Sequence, residues 1–124
     1  MMVDCNQEVV IMWRDEEVAR YLLTDSGLIV KQNPYTERSP FRKPDGDITL
    51  DDLISFVDYQ IFDEHNANKE KILASLGLRD YAPWDIFYRT RGVSWMNSYW
   101  VRNDCEEDLL YERDIKSRDF LYNR

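Results

Sequence analysis

From Gly92 to Arg102 the chain reads GVSWMNSYWVR. In an extended backbone Val93, Trp95, Asn97, Tyr99 and Val101 point one way, and Ser94, Met96, Ser98, Trp100 and Arg102 the other. Each side carries a large aromatic, so Ser94–Arg102 reads as an interior or paired strand, not as a solvated edge. Other elements must therefore be laid against it from two directions. Gly92 supplies the break from a short helix that precedes it.

The rest of the chain supplies those elements. The apolar run Glu8–Trp13 predicts a strand, and Val18–Thr24 predicts a second. Asp25-Ser26-Gly27 is a hairpin signal leading into a third over Leu28–Lys31. A helix from Asp15 is the competing reading of the second segment. Residues 32–47 hold three of the four prolines and the turn sequence Pro44-Asp45-Gly46, which predicts a long loop. Thr49 can cap a helix running to about His65, with Asp51 and Asp52 in its first turn. Leu50, Leu53, Ile54, Val57 and Ile61 form its apolar stripe. A second helix runs over Lys69–Leu76 and ends at Gly77, and a third starts at Pro83. The expectation is one α+β domain spanning 1–124, an antiparallel sheet with helices packed on one face. Its core is drawn from Val10, Met12, Ile29, Leu53, Val57, Ile61, Leu73, Leu76, Ile86 and one of Trp95 or Trp100.

Composition narrows the function classes. Hydrophobic residues are 44% and aromatics 14% of the chain, enough for a packed core. A formal charge of −8 disfavours direct binding to nucleic acid or to an anionic membrane, since both need a basic face. No run approaches the ~18 apolar residues of a membrane span, and the opening MMVDCNQEVV has no apolar signal segment. A cytoplasmic location is expected, with Cys5 and Cys105 as free thiols. His65 is the one histidine, which excludes a multi-histidine metal site and suits a helix end instead. Glycine-rich phosphate loops and the common hydrolase motifs do not occur. Neither an enzyme nor a cofactor or metal site is expected.

The segment Gly92–Arg102, with its Tyr99-Trp100-Val101, resembles the stretch just ahead of the kinase domain in HipA-like proteins. Asn97 stands where that stretch has an aspartate, and Trp95-Met96 depart from it. Asp108–Asp114 resembles the acidic motif that follows, and Leu73–Leu78 an upstream leucine-rich piece. The kinase body is not expected, since the chain closes at Arg124. The resemblance implies a regulatory module that acts in trans on a HipA-like kinase. Independently, four Trp, eight Tyr and five Phe exceed what a small core needs, which points to an aromatic contact surface. The partner-contact candidates are Trp95, Asn97, Tyr99, Trp100 and Arg102, with the acidic run Glu106, Glu107 and Asp108. The alternative is an acidic phage-type inhibitor, of the anti-CRISPR or anti-defence kind, that blocks a basic nucleic-acid-binding protein.

Overall fold

The computed structural model describes residues 8–24, 27–32, 38–41, 43, 47–94 and 96–116, with the side chains of 28–32 outside that description. Among the described residues there are four strands: β1 (Glu8–Trp13), β2 (Glu16–Thr24), β3 (Gly27–Gln32) and β4 (Tyr99–Asn103). They form an antiparallel sheet in the order β3-β2-β1-β4. Helices α1 (Leu50–Gln60), α2 (Lys69–Ser75) and α3 (Pro83–Arg89) lie between β3 and β4 in the chain. A π-helical turn, Tyr111–Ile115, follows β4. The molecule is the α+β domain that the patterning predicts.

After Glu8, β1 is apolar through Trp13, and Val9 to Met12 are buried because both faces of the strand are covered. Val9 and Ile11 pair with Tyr21 and Ala19 on one neighbour and with Asn103 and Val101 on the other. This side meets Leu53, Phe56 and Val57 of α1, Ile72 and Leu73 of α2, and Ile86 and Phe87 of α3. On the opposite side Val10, Met12 and Trp100 form a smaller cluster with Val93 and Ile115. The β1–β2 turn is two residues, Arg14-Asp15, with Arg14 in the left-handed region at φ 53°. Thr24 pairs with Gly27 across the Asp25-Ser26 connection, so the hairpin forms where the Asp-Ser-Gly signal placed it.

Several boundaries move. β2 starts at Glu16, not Val18, because the hairpin turn is tight. The Thr49 cap is a full capping box: Thr49 Oγ1 accepts from Asp52 N, and the Asp52 carboxylate accepts from Thr49 N. α1 stops at Gln60, not His65. Ile61 turns extended, and the Phe62 carbonyl accepts from the Tyr81 hydroxyl. His65 is therefore an exposed turn residue whose N–H donates to Asp63, not a helix end. The α1 stripe is also rotated. Leu53, Phe56, Val57 and Gln60 are buried, while Leu50 and Ile54 are exposed.

Val10, Met12, Leu53, Val57, Ile61, Leu73, Ile86 and Trp100 are buried as expected, and Leu76 is half-buried. The Ile29 side chain and Trp95 lie outside the described residues. Most of the 32–47 loop does too, but its described part is not a free connector. Ser39 is buried, and Phe41 packs edge-on against Phe56. Cys105 is disulfide-bonded, which overturns the expectation of two free thiols; the other cysteine, Cys5, lies outside the described residues. The β1–β4 register carries the Cys105 turn back beside Glu8, whose carbonyl accepts from Asp104 N. A disulfide sits poorly with a reducing cytoplasm. No helix among the described residues is long and apolar enough to cross a membrane.

Candidate functional site

The site is built outward from the end of α3. Gly92 N donates to the Phe87 carbonyl and Arg91 N to the Tyr88 carbonyl, the paired bonds of a Schellman ending. Arg91 and Gly92 both have positive φ, 54° and 65°. The backbone is thereby turned so that the Arg91 carbonyl accepts from Val101 N at 2.8 Å. β4 is thus a terminal strand, paired with β1 on one side and closed on its outer side by the loop before it, so it is not a solvated edge.

That loop also explains why the strand is short. Ser94 Oγ accepts from Met96 N, and Asn97 Oδ1 accepts from Tyr99 N. Side-chain acceptors two residues back compete with the ladder, so the segment before Tyr99 turns instead of extending. The predicted strand 94–102 is therefore corrected to Tyr99–Asn103.

The contact candidates are placed as follows. Trp100 is 0% exposed, its indole N–H donating to the Arg14 carbonyl. Arg102 is buried, donating to the Asn103 and Asp104 carbonyls. Tyr99 is half-buried, its hydroxyl donating to the Arg38 carbonyl and its ring edge-on to Phe56. Asn97 exchanges amide hydrogen bonds with Gln60, at 2.7 and 3.1 Å. Gln60 also donates to the Gly92 carbonyl at 2.7 Å. Glu106 takes the Arg91 guanidinium on both oxygens, at 3.1 and 2.6 Å, and accepts from Asn103 N. Glu107 and Asp108 are exposed, and Trp95 lies outside the described residues.

The electrostatics follow from these contacts. Burial alone would raise the Glu106 carboxyl; the Arg91 and Asn103 hydrogen bonds, with the Arg91 and Arg102 charges, outweigh it and hold it below 4.5. Behind β1, Arg20 gathers Glu8, Glu17 and Asp104, which raises its already high value, the Glu17 hydrogen bond contributing most. Within the core the Tyr21 and Tyr88 hydroxyls meet at 3.0 Å, and burial pushes both above 10.0.

Two clefts flank the Met96–Tyr99 loop and share Asn97 and Tyr99 as a common wall. One, of about 410 Å³, is lined by Phe41, Asp52, Phe56, Tyr59 and Gln60. The other, of about 330 Å³, is lined by Arg14, Met96, Tyr111, Glu112 and Lys116. Tyr59 is 60% and Met96 48% exposed, large apolar groups left uncovered beside these hollows. Sequence reasoning chose Asn97 and Tyr99 and missed Tyr59, Gln60 and Arg14. A polar Gln60 seven residues after Leu53, at a position facing the core, was the available signal for the amide pair.

Among the described residues no group of three or more His, Cys, Asp or Glu could hold a metal ion. The chain matches no protein-family model, no curated protein and no solved structure.

Proposed function

We propose that this chain is a non-catalytic protein-binding module that engages its partner over the Asn97–Tyr99 ridge. The observation that carries the reading is the exposure of Tyr59 and Met96, one at each of two clefts that share that ridge. An aromatic and a thioether beside concave, partly apolar surface are the groups that anchor protein interfaces. Among the described residues Phe41, Phe87 and Tyr99 are engaged in ring contacts about Phe56. A HipA-like kinase, regulated in trans, is the partner nominated by the resemblance of Gly92–Arg102. The test is co-purification with such a kinase, comparing the parent with Tyr59→Ala and Met96→Ala. Loss of the complex at an unchanged unfolding midpoint supports the reading; retention by both variants contradicts it.

One observation favours an acidic inhibitor as the second reading. Asp58, Asp63 and Glu64 stand close enough to Tyr81 to add to the effect of burial in raising its hydroxyl. They gather at the C-terminal end of α1, whose last turn has no basic residue to offset the helix dipole. Binding to a basic groove through these groups would weaken steeply with salt. Binding through Tyr59 and Met96 would not.

A further inference from the structure

The smaller cleft holds features that the protein-contact reading leaves unused. Arg14 forms part of its wall from the tip of the β1–β2 turn. The Arg14 main chain is fixed at both ends: its N–H donates to the Ser98 carbonyl, and its carbonyl accepts from Trp100. The guanidinium lies 4.9 Å from the Trp13 ring and makes no ion pair among the described residues. Lys116 is the second cation of the wall. It pairs with Glu112 at 3.4 Å, with both side chains more than half exposed, so the pair holds it weakly. Asp15, next to Arg14 in the chain, accepts from Tyr111 N at 2.8 Å.

Two backbone irregularities meet at this cleft. Arg14 is a non-glycine residue at φ 53°. Tyr111, Glu112 and Lys116 come from a π-helical turn and its cap. Left-handed residues and π-turns are both costly and recur where a fold holds a ligand. In a chain of net charge −8, an exposed guanidinium with no ion pair among the described residues is an exception to the surrounding field.

We propose that this cleft binds a small oxyanion of the carboxylate or phosphate class, with the Arg14 guanidinium as its main ligand and Lys116 as a second cation. Ser98 and Tyr111, which also line the cleft, carry hydroxyls of the donor type such an anion takes. A planar fork of N–H donors takes two oxygens of one anion at once, which a lone ammonium cannot. The proposal goes beyond the protein-contact reading and stands or falls separately from it.

The test is a titration of backbone amide NMR shifts in the full chain. Sodium phosphate and sodium acetate are compared with sodium chloride at matched ionic strength. The expected result is a saturable shift at Arg14, Ser98 and Tyr111 with phosphate or acetate and none with chloride. The tighter of the two anions names the class. Arg14→Gln should weaken binding by about tenfold, the loss of one charge-assisted hydrogen-bond pair, and Lys116→Gln by roughly threefold. Arg14→Lys, which keeps the charge and loses the fork, should fall between the parent and Arg14→Gln. No saturation with either anion, equal shifts in chloride, or parent-like affinity in Arg14→Gln overturns the proposal. Should Arg14→Gln fail to fold, the exposed Lys116→Gln decides alone: unchanged affinity overturns it.

Discussion

On the helix side of the sheet Val9, Ile11, Tyr21 and Val101 meet Leu53, Phe56, Val57 and Phe87, with neutral polar contacts such as the Tyr21–Tyr88 hydroxyl pair and the Gln60–Asn97 amide pair. On the other side Val10, Met12 and Trp100 sit beside Arg20 and Arg102, with Glu8, Glu17 and Asp104 drawn in around the guanidinium groups. The first side is held by apolar area, which is non-directional and tolerant of pH. The second depends on particular donors meeting particular acceptors, so single groups matter more there and solution conditions reach them. The stretch Arg91–Glu106 joins the two sides. Phe87, next to it in sequence, faces the helix core, and its Arg91–Glu106 pair locks the outer edge of β4.

The largest effect should come from the apolar side. Phe87 is fully buried, and Phe87→Ala should cost about 3–5 kcal/mol through lost burial and a residual cavity. Chemical denaturation measures it, and a loss that changed with pH would erase the difference between the two sides of the sheet. Glu106→Gln should cost about 2–3 kcal/mol, because Arg91, 10% exposed at its side chain, is left with a neutral partner. Arg20→Met should cost roughly 1 kcal/mol, as three carboxylates lose their shared cation while remaining partly solvated. Added salt should reduce that loss, and thermal melts at two ionic strengths check it.

Tyr21→Phe should have the smallest effect at neutral pH, under about 1 kcal/mol for one neutral hydrogen bond. Its interest lies at high pH. The folded values of Tyr21 and Tyr88 are raised, so the folded state keeps its phenolic protons longer than the unfolded chain does. Stability from these groups is full below 10.0 and declines as pH rises above it. Tyr21→Phe should therefore soften alkaline unfolding, which a pH series of melts would show.

The helix side was largely legible in sequence because area follows period. Leu53 and Val57 recur at helical spacing, Thr49 announces the cap, and Gly77 at φ 74° ends α2 as a glycine should. The end of α3 has the same hydrogen-bond pattern, but Arg91 occupies the left-handed position that glycine fills in α2. Nothing local marks an arginine for that conformation; Glu106, fifteen residues on, contributes the bond that holds its side chain. The contact candidates moved for the same reason. Trp100 is drawn inside by the Arg14 carbonyl, a distant partner that no spacing reveals, while Arg102 turns in to the neighbouring Asn103 and Asp104 carbonyls. Tyr59 and Met96 came to light because exposure, not residue type, identifies an uncovered anchor.

The central claim is that the stretch around β4, rich in apparent contact residues, chiefly holds the fold together, with Glu106 as its fastening. The most direct test is urea unfolding of the parent, Glu106→Gln and Phe87→Ala from about pH 3 to about pH 7. The folded value of Glu106 is depressed, so its stabilisation is present above 4.5 and lost as pH falls through that lowered value. The gap between parent and Glu106→Gln should therefore close on acidification, while the Phe87→Ala gap stays constant. A Glu106→Gln gap that is absent at neutral pH, or that persists unchanged to the acid end, would contradict the account.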